Sequence, residues 1–258
     1  MSQGIAMFCY DSQLRYSVMC DFNIRQIKRH LDMPVTVYTD KETAPRITGA
    51  DSLVMTDTPS GNRRFFKGIN QLVDWHNLNR SMVLLDPPYD RTVVIDTDYI
   101  VYSSLIRDII KTDYDFLCYV DSTDATGMGH IGNDIVGELR IPFCWATVML
   151  ITKSQTCRNI GTMMVHIRNN YNYFRRLYRI GHTNFRNDYA LSIALHQLSG
   201  MMPHPFKIPG RITALTDSVK TVLDTDSVKF CYDKNGETYS GRLENVDVHV
   251  MNKEAVYA

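Results

Sequence analysis

Short apolar runs separated by helix-like stretches are the feature that most constrains the fold of this chain. Residues 4–11, 34–40 and 52–57 each have the pattern of a buried strand that ends in polar residues. Apolar residues at helical spacing predict one helix over residues 12–31 and a second over residues 65–78. Because strands alternate with helices, the chain is predicted to form an α/β fold around a mostly parallel sheet.

The composition is that of an ordinary globular protein. Its 258 residues are enough for one large domain or two small ones, and 44% of them are hydrophobic and 22% charged. Lysine plus arginine and aspartate plus glutamate number 28 each, so the net charge indicates no class of partner. The sequence has neither a signal-peptide pattern nor an apolar run of membrane-spanning length, which predicts a cytoplasmic protein without a membrane partner. The six cysteines include no Cys-x-x-Cys pair and are predicted to be free, mostly buried thiols.

Two carboxylates interrupt an apolar run in the middle of the chain. Residues 93–95 and 99–102 are apolar, and Asp96 and Asp98 stand between them. Ligands of parallel α/β sheets bind beyond the carboxyl ends of strands, and alternate residues of an extended chain share a face, so both carboxylates can converge on one ligand. Two converging anions repel each other, and a divalent cation such as Mg²⁺ or Mn²⁺, with the phosphate oxygens of a substrate, removes that repulsion. The pattern predicts a metal–diphosphate site, with a solvated turn between two strands as the alternative.

The stretch YDRTVVIDTDYIVYSSLIRDI, residues 89–109, resembles the signature of glycosyltransferases with the GT-A fold. The likeness is greatest to glycogenin-like and galactosyltransferase-like families with a retaining mechanism, in which a strand ends in Asp-x-Asp and a short helix follows. The resemblance implies a Rossmann-like nucleotide-diphospho-sugar transferase fold, with a mixed, mostly parallel sheet flanked by helices, in a single domain of residues 1–258. Residues 1–125 would form the nucleotide-sugar-binding half and residues 126–258 the acceptor half.

The resemblance also implies the residues of the site. Asp96 and Asp98 would hold Mn²⁺ or Mg²⁺, and His249 near the C-terminus would complete the metal shell. Asp188, at the start of the helical pattern of residues 187–198, would be a catalytic residue together with Asp98. The residues predicted to bind the nucleotide and diphosphate of the donor, taken as a UDP-sugar, are Tyr10, Asp11, Thr39, Asp40, Arg64, Lys67 and Lys253.

Several of these residues also have a purely structural interpretation. Valines alternate with polar residues over 246–251, so His249 also suits the polar face of a strand. Asp188 also suits the first turn of a helix, where the helix dipole favours an acidic residue. The family's Asn-Ser-Gly-like segment is replaced by residues 145–147, Trp-Ala-Thr, and the sequence therefore assigns no particular sugar.

An arginine-rich interval without acidic residues separates Glu138 from Asp188. Its aromatic residues interleave with arginines in YNYFRRLYRIGHTNFR, and these residue types suit phosphate contacts and base stacking. The chain resembles compact bacteriophage glycosyltransferases that modify hydroxymethylated pyrimidines in DNA, which implies DNA as the acceptor and the host cytoplasm as the location. A solvated basic helix face is the alternative. The predicted acceptor contacts are Arg175, Arg176, Arg179 and Arg186.

Three other classes of protein remain compatible with the sequence. A nucleotidyltransferase would also use Asp-x-Asp and a metal on a similar sheet, and a non-catalytic nucleic-acid-binding protein would use the arginine-rich interval alone. A phosphatase of the haloacid dehalogenase type also has Asp-x-Asp after an apolar strand, but there the motif normally opens the chain and a later acidic cluster follows. The sequence assigns neither the sugar, nor the stereochemical outcome, nor the oligomeric state.

Overall fold

The computed structural model describes residues 1–57, 62–66, 70–76, 78–127, 134–181 and 184–257, without the side chains of Arg64, Phe66, Val256 and Tyr257. The α-helices of this part of the chain are α1 (Tyr16–Leu31), α2 (Ser81–Leu85), α3 (Leu105–Ile110), α4 (Gln155–Asn169), α5 (Tyr171–Leu177) and α6 (Asn187–Leu198), and a 3-10 helix spans Ala44–Arg46. Its strands are β1 (Gln3–Phe8), β2 (Val35–Thr39), β3 (Ser52–Met55), β4 (Arg63–Phe66), β5 (Gln71–Asp74), β6 (Arg91–Asp96), β7 (Tyr99–Ile100), β8 (Phe116–Tyr119), β9 (Ser122–Asp124), β10 (Ile135–Val136), β11 (Ile141–Pro142), β12 (Trp145–Thr152), β13 (Ile212–Leu215), β14 (Lys220–Leu223), β15 (Ser227–Lys234), β16 (Glu237–Glu244), β17 (Val248–Val250) and β18 (Val256–Tyr257).

A six-stranded sheet with the order β3-β2-β1-β6-β12-β8 forms the centre of the molecule. β1, β2, β3 and β6 run parallel to one another, while β12 is antiparallel to β6 and to β8. β12 is buried along its whole length, as near-continuous apolar runs are when both faces of a sheet are covered. Helices flank the sheet, with α6 packed on β12 and α3 next to β6. The predicted α/β architecture, a mixed, mostly parallel sheet flanked by helices, is confirmed.

Two smaller sheets extend the central one. Their strand orders are β7-β17-β13-β9 and β16-β15-β14-β18. Only Thr97 and Asp98 separate the end of β6 from the start of β7. The chain leaves the central sheet at this turn and enters the second sheet, where β7 pairs antiparallel with β17. The long apolar run of the sequence therefore belongs to two sheets, and the Asp-x-Asp turn lies at their junction.

The predicted helix over residues 65–78 is wrong. β4 and β5 pair there as an antiparallel hairpin, with Phe65 opposite Leu72. Asn70 has a φ of 50°, a left-handed conformation that Asn tolerates in a turn and that an α-helix does not accept. Phe65 and Leu72 are both more than half exposed, so their spacing does not reflect a helix face buried in a core.

The helix predicted over residues 12–31 begins at Tyr16. The Asp11 carboxylate accepts hydrogen bonds from the backbone N–H of Ser17 at 2.8 Å and from its hydroxyl at 2.7 Å. A carboxylate there satisfies a backbone donor that has no partner within the helix, and it lies at the positive end of the helix dipole. Asp11 therefore caps α1 from the preceding loop, and the helix starts later than the apolar spacing indicates.

Other elements agree with the sequence. α6 covers the predicted helix of residues 187–198, and β15 and β16 form the predicted hairpin. Asn235 and Gly236 make its turn with positive φ angles of 56° and 84°, as two-residue hairpin loops require. No helix among the described residues is both long and apolar enough to cross a lipid bilayer. The division into a donor half and an acceptor half stays a prediction.

Candidate active site

A cleft of about 290 Å³ lies at the carboxyl edge of the central sheet. Phe8, the last residue of β1, and Asp96, the last residue of β6, line the cleft and are register partners. Parallel α/β sheets bind ligands at this edge, where the loops that follow the strands surround a crevice. The position of the cleft thus follows from the strand order.

Three candidate metal ligands meet in this cleft. Asp96 ends β6 and Asp98 follows in the turn, while His249 lies in β17, the neighbour of β7. The backbone carbonyl of Asp98 accepts a hydrogen bond from the N–H of Val250 at 2.8 Å, which brings β17 against the turn. One carboxylate oxygen of each aspartate and one ring nitrogen of His249 lie within 4.8 Å of one another. The ligand set predicted from the sequence is therefore brought together by the junction of the two sheets.

Basic side chains of the protein pair with both aspartates. Arg80 forms an ion pair with Asp96, and Lys253 forms one with Asp98. Nε2 of His249 lies 3.4 Å from the same carboxylate oxygen of Asp98 that Lys253 contacts. These pairs relieve the repulsion between two carboxylates held close together.

The acidic residue at the start of α6 faces the same cleft. One oxygen of Asp188 accepts a hydrogen bond from the N–H of Ala146 at 3.0 Å, and the other accepts two from Arg186, at 2.9 and 3.2 Å. The carbonyl of Ala146 accepts a hydrogen bond from Arg80, so this residue of β12 connects Asp188 with the arginine that pairs with Asp96. Burial lowers the pKa of Arg80 to about 10, although the charge of Asp188 acts in the opposite direction.

Two buried polar side chains hold the backbone that follows the Asp-x-Asp turn. Asn23 of α1 donates to a carbonyl of β7 at 2.7 Å and accepts from the N–H of Val101 at 3.1 Å. Asp247 accepts hydrogen bonds from the N–H groups of Tyr102 and Ser103, at 2.8 and 2.7 Å. Burial raises the pKa of Asp247 to about 6, and its hydrogen bonds act in the opposite direction. Because these backbone groups are shielded from water, the two side chains determine the course of the chain after the turn.

Aromatic side chains stand beside the metal-ligand cluster. Trp145 lies edge-on to His249 with ring centroids 6.1 Å apart, and Phe143 lies edge-on to Trp145 at 5.0 Å. The guanidinium of Arg186 lies over the rings of Phe143 and Tyr189, at 5.7 and 5.4 Å. The buried indole N–H of Trp145 has no hydrogen-bond acceptor among the residues that the structure describes. A buried donor of this kind at a cleft suits a ligand that brings an oxygen atom.

The residues predicted to hold the donor nucleotide lie in different places. Tyr10 lines the cleft, and its hydroxyl is 2.7 Å from that of Thr56. Asp11 caps α1 instead of lining the described part of the cleft. Thr39 ends β2, and Asp40 accepts a hydrogen bond from a backbone N–H at 2.8 Å, with neither side chain in the described cleft wall. The roles of these residues in donor binding stay predictions.

The basic residues predicted to bind the diphosphate are only partly described. Lys253 lines the cleft and pairs with Asp98. Arg64 lies in β4, where its backbone pairs with Val73. Lys67 lies outside the described residues. Of this group, Lys253 is the residue whose position supports the predicted role.

The arginines predicted to contact an acceptor fall into two groups. Arg186 lies in the cleft beside Asp188. Arg175 and Arg176 lie on α5, away from the described cleft wall, and Arg179 follows this helix. Arg179 forms an exposed ion pair with Glu138 at 2.8 Å. The α5 arginines thus form a surface of their own, separate from Arg186.

Sequence analysis missed several residues that line or support the site. Arg80 precedes the short helix α2, and no sequence pattern distinguishes it from the other arginines of the chain. Trp75 and His76 line the cleft just after β5, where the incorrect helix prediction concealed them. Asn23 lies inside α1, where a buried polar residue gives no signal in a periodic pattern.

Fold and site together define an α/β protein with paired acidic and basic groups at the carboxyl edge of its mixed, mostly parallel sheet. No family model and no curated protein matches the chain. The glycosyltransferase GlyE of Streptococcus pneumoniae TIGR4 superposes with a TM-score of 0.45 and 15% identity, over 81% of this chain and 46% of GlyE. Its apo form superposes with a TM-score of 0.43 and 14% identity, over 81% of this chain and 45% of that chain. An active-site mutant of LgtC superposes with a TM-score of 0.48 and 13% identity, over 74% of this chain and 69% of LgtC. The chain spans less than half the length of the two GlyE structures.

Proposed function

We propose that the protein is a metal-dependent glycosyltransferase that moves a sugar from a nucleoside-diphosphate sugar to a hydroxyl group. The observation that carries this proposal is the convergence of Asp96, Asp98 and His249 in one cleft at the carboxyl edge of the sheet. Basic side chains that can balance a diphosphate line the same cleft, namely Arg80, Arg186 and Lys253.

The donor atoms of the cleft suit a divalent cation. Asp96 and Asp98 offer carboxylate oxygens and His249 a ring nitrogen, a set that Mn²⁺ accepts and that leaves coordination positions for phosphate oxygens. Each aspartate is paired with a cation of the protein through one oxygen, so a bound ion competes with Arg80 and Lys253 for the carboxylates. A bound ion supplies a Lewis acid for the departing diphosphate.

The charges of the protein itself favour an ion and a diphosphate arriving together. With neutral histidines, the carboxylates of Asp96, Asp98 and Asp188 balance the three basic side chains of the cleft. A divalent ion gives this neutral cleft an excess of positive charge, and a diphosphate restores the balance. Lys253 and Arg80, once released from the carboxylates, can donate hydrogen bonds to phosphate oxygens and stabilise the charge that develops on the leaving group.

Asp188 is the residue that we assign to the donor sugar and the incoming hydroxyl. The N–H of Ala146 holds one of its oxygens and Arg186 holds the other, so the carboxylate is oriented before a ligand binds. A preoriented carboxylate can accept a hydrogen bond from a hydroxyl, and it can take the proton of the acceptor if the reaction inverts configuration.

For the donor nucleotide we propose a uridine diphosphate sugar, on the resemblance to glycogenin-like families. Tyr10 and Trp75 line the cleft and present aromatic rings against which a nucleobase can stack. The indole N–H of Trp145 offers a hydrogen bond to an oxygen of the donor.

For the acceptor we propose DNA that contains hydroxymethylated pyrimidines. Tyr173 on α5 is 64% exposed and close in sequence to the exposed Arg176, a combination that suits base stacking and phosphate contact. Tyr171, at the start of the same helix, lies edge-on to Phe185 with ring centroids 5.4 Å apart. Because Phe185 directly precedes Arg186 of the cleft, side chains in contact join the α5 surface to the candidate active site.

A product assay tests the proposed reaction. The protein is incubated with Mn²⁺, hydroxymethylated DNA and either a set of nucleotide sugars or the nucleoside triphosphates, and the products are identified by mass spectrometry. We expect a nucleoside diphosphate and a glycosylated nucleoside. Pyrophosphate released from a triphosphate identifies a nucleotidyltransferase, and DNA binding without either product identifies a binding protein.

Titration calorimetry tests the metal site separately from turnover. We expect His249→Ala to weaken Mn²⁺ binding in the presence of a nucleoside diphosphate by about tenfold or more. His249 is also packed against Trp145, so the melting temperature is measured alongside. The exposed His166, changed to Ala, is the matched control. A lower melting temperature with unchanged Mn²⁺ affinity in His249→Ala assigns this histidine a structural role only.

A further inference from the structure

A second cluster of reactive side chains lies away from the described cleft wall. Cys118 belongs to β8, Cys144 precedes β12 and His204 follows α6, and all three are buried. The two Sγ atoms and one ring nitrogen of His204 lie within 4.8 Å of one another. The proposed reaction makes no use of these groups.

The hydrogen bonds of His204 place a donor against one of the sulfur atoms. Nδ1 accepts a hydrogen bond from the N–H of Phe206 at 3.2 Å, so the neutral ring has its proton on Nε2. Nε2 lies 3.1 Å from Sγ of Cys144 and donates to it. Hydrogen bonds from Cys118 and His204 lower the pKa of Cys144 to about 6, although burial acts in the opposite direction. Burial and the neighbouring Cys144 raise the pKa of Cys118.

Two features favour thiol chemistry over a soft metal ion at this cluster. If a metal ion bound Nε2, the ring proton would be on Nδ1. Nδ1 could then no longer accept the hydrogen bond from the N–H of Phe206, and two donors would face each other. Structural zinc sites use four protein ligands, and the described part of the chain provides three here. The arrangement is instead that of two neighbouring thiols, with Nε2 of His204 at Sγ of Cys144 and with the carbonyls of Pro142 and Phe206 near the sulfur atoms of Cys144 and Cys118. When Cys144 loses its proton, His204 donates to the resulting thiolate.

We propose that Cys118 and Cys144 are a dithiol that hydroperoxides oxidise to a disulfide. The Cys144 thiolate attacks one oxygen of hydrogen peroxide, the O–O bond breaks, and hydroxide leaves and takes up a proton. The sulfur is then a sulfenic acid. The Cys118 thiol attacks that sulfur and loses its proton, and the sulfenic hydroxyl leaves as water. Two electrons pass from the two sulfur atoms to the peroxide.

The segment between α6 and β13 is in contact with the pair. Phe206 accepts a backbone hydrogen bond from Cys118 at 3.1 Å, and Ile208 donates one to Cys118 at 2.9 Å. Met201 and Met202 of the same segment are mostly exposed. A segment held by a few backbone hydrogen bonds opens at lower free energy than the sheet beneath it, which admits a small oxidant. We therefore expect the pair to oxidise over a longer time than a surface thiolate would.

The disulfide also changes the candidate active site, a step that rests on the proposed function. The N–H of Cys144 donates to the hydroxyl of Ser192 at 2.8 Å, and that hydroxyl donates to the carbonyl of Asp188 at 2.8 Å. Trp145 of the cleft is the next residue along the chain. Sulfur atoms must approach to about 2.05 Å in a disulfide, so the backbone at Cys144 is pulled toward β8. We expect a lower affinity for the donor diphosphate in the oxidised protein.

The chain contains an internal control pair. Cys9 and Cys20 are also buried, and their thiols are hydrogen-bonded to each other. This hydrogen bond and burial raise the pKa of Cys9, whereas the pKa of Cys144 is lowered, so the two pairs share burial and proximity but differ at these two thiols. If burial and proximity alone determined oxidation, both pairs would react alike.

Peroxide treatment followed by mass spectrometry of unreduced tryptic peptides tests the proposal. Trypsin places Cys9, Cys20, Cys118 and Cys144 on separate peptides, residues 1–15, 16–25, 112–140 and 141–153. We expect a cross-link between peptides 112–140 and 141–153, lighter by two hydrogen atoms, to form about tenfold or more faster than one between 1–15 and 16–25. Equal rates, or cross-links in neither pair, overturn the proposal. Stoichiometric zinc that protects Cys118 and Cys144 until a chelator removes it also overturns the proposal.

Two substitutions of the histidine test its part in the reaction. His204→Gln keeps an N–H donor near the position of Nε2, and His204→Asn removes it. We expect the cross-link to form at a near-native rate in His204→Gln and about tenfold more slowly in His204→Asn. Equal rates in the two variants overturn the role of the histidine. The wild-type comparison of the two cysteine pairs needs no variant, and it holds whether or not the protein transfers sugars.

Discussion

At the scale of single residues, Asp98 has two functions that compete. It is a candidate metal ligand, and it is also the counter-charge of Lys253. Both side chains are about one-tenth exposed, so their ion pair is shielded from water. Removing one partner of such a pair leaves the other charge buried and uncompensated. The free-energy cost of that charge is larger than the contribution of the pair to stability.

Asp98→Asn removes both functions, and a second substitution at Lys253 then separates them. We expect turnover to fall by at least about 10²-fold, since an amide is a poor ligand for a divalent ion and gives no counter-charge. Stability is expected to fall by about 3 kcal/mol, because Lys253 stays buried without its partner. The double variant Asp98→Asn with Lys253→Met should regain much of that stability and none of the activity. Urea unfolding and the donor assay measure the two effects.

The exposed Asp121, changed to Asn, is the control for this series because it removes one carboxylate outside the cleft. It should leave turnover and stability near the values of the unchanged protein. Full turnover of Asp98→Asn in the presence of Mn²⁺ contradicts the metal site. Recovery of turnover in the double variant contradicts it as well.

At the scale of elements, the site depends on the break between β6 and β7. The sequence of this region has one apolar run, and its period does not show that the run enters two different sheets. Asn23 and Asp247 stabilise the break through the backbone of the chain that follows it. Asn23 donates one hydrogen bond and accepts another there, and Asp247 accepts from an N–H group. Such a contact joins residues far apart in the chain, so no local pattern predicts it.

The backbone hydrogen bonds of Asp247 lead to a prediction on stability. Asp247→Ala should lower the free energy of unfolding by about 2–4 kcal/mol, because the buried N–H groups of Tyr102 and Ser103 lose their acceptor. Asp247→Asn keeps an oxygen at the same place, so it should lower the free energy of unfolding by clearly less than Asp247→Ala does. Urea unfolding of metal-free protein measures both. Equal losses in the two variants would show that packing, and not hydrogen bonding, holds this segment.

The same reasoning explains which parts of the site could be predicted. Asp96 and Asp98 follow an apolar strand and Asp188 starts a strongly periodic helix, so local sequence identifies all three. Arg80 and Trp75 reach the cleft from the region of the β4–β5 hairpin, whose turn conformation at Asn70 the apolar spacing does not reveal. Residues that a local pattern distinguishes were therefore predictable, and those brought in by an unrecognised hairpin or by contacts distant in the chain were not.

At the scale of the whole molecule, the balanced net charge conceals an uneven distribution. The arginine-rich interval supplies Arg186 to the cleft and the other predicted arginines to the surface around α5. Arg179 is partly neutralised by Glu138, whereas Arg176 is exposed in a small groove with Tyr173. The surface around α5 therefore combines the exposed charge of Arg176 with the exposed ring of Tyr173, and side chains in contact connect it to the candidate active site.

Together with the proposed DNA acceptor, this distribution leads to a prediction on binding. Replacing Arg175, Arg176 and Arg179 by Ala should weaken binding to duplexes of any sequence. The variant contacts fewer phosphates, so formation of its complex with DNA releases fewer counterions. The slope of log affinity against log salt, near −0.9 per contacted phosphate, should become shallower by about two units, since Arg179 is already paired with Glu138. Hydrolysis of the nucleotide sugar should stay unchanged, because these arginines lie away from the described cleft wall.

A charge-matched control makes this prediction specific to the α5 surface. Arg211, Lys220 and Lys234 are exposed basic residues outside the arginine-rich interval, and replacing them by Ala removes the same charge elsewhere. We expect the control to keep the salt slope of the unchanged protein. Unmodified and hydroxymethylated DNA should bind alike, and only the hydroxymethylated DNA should accept sugar, since ordinary bases offer no hydroxyl. If the α5 variant and the control lose affinity equally, the α5 arginines are a solvated face, and the acceptor is then a small molecule or a protein.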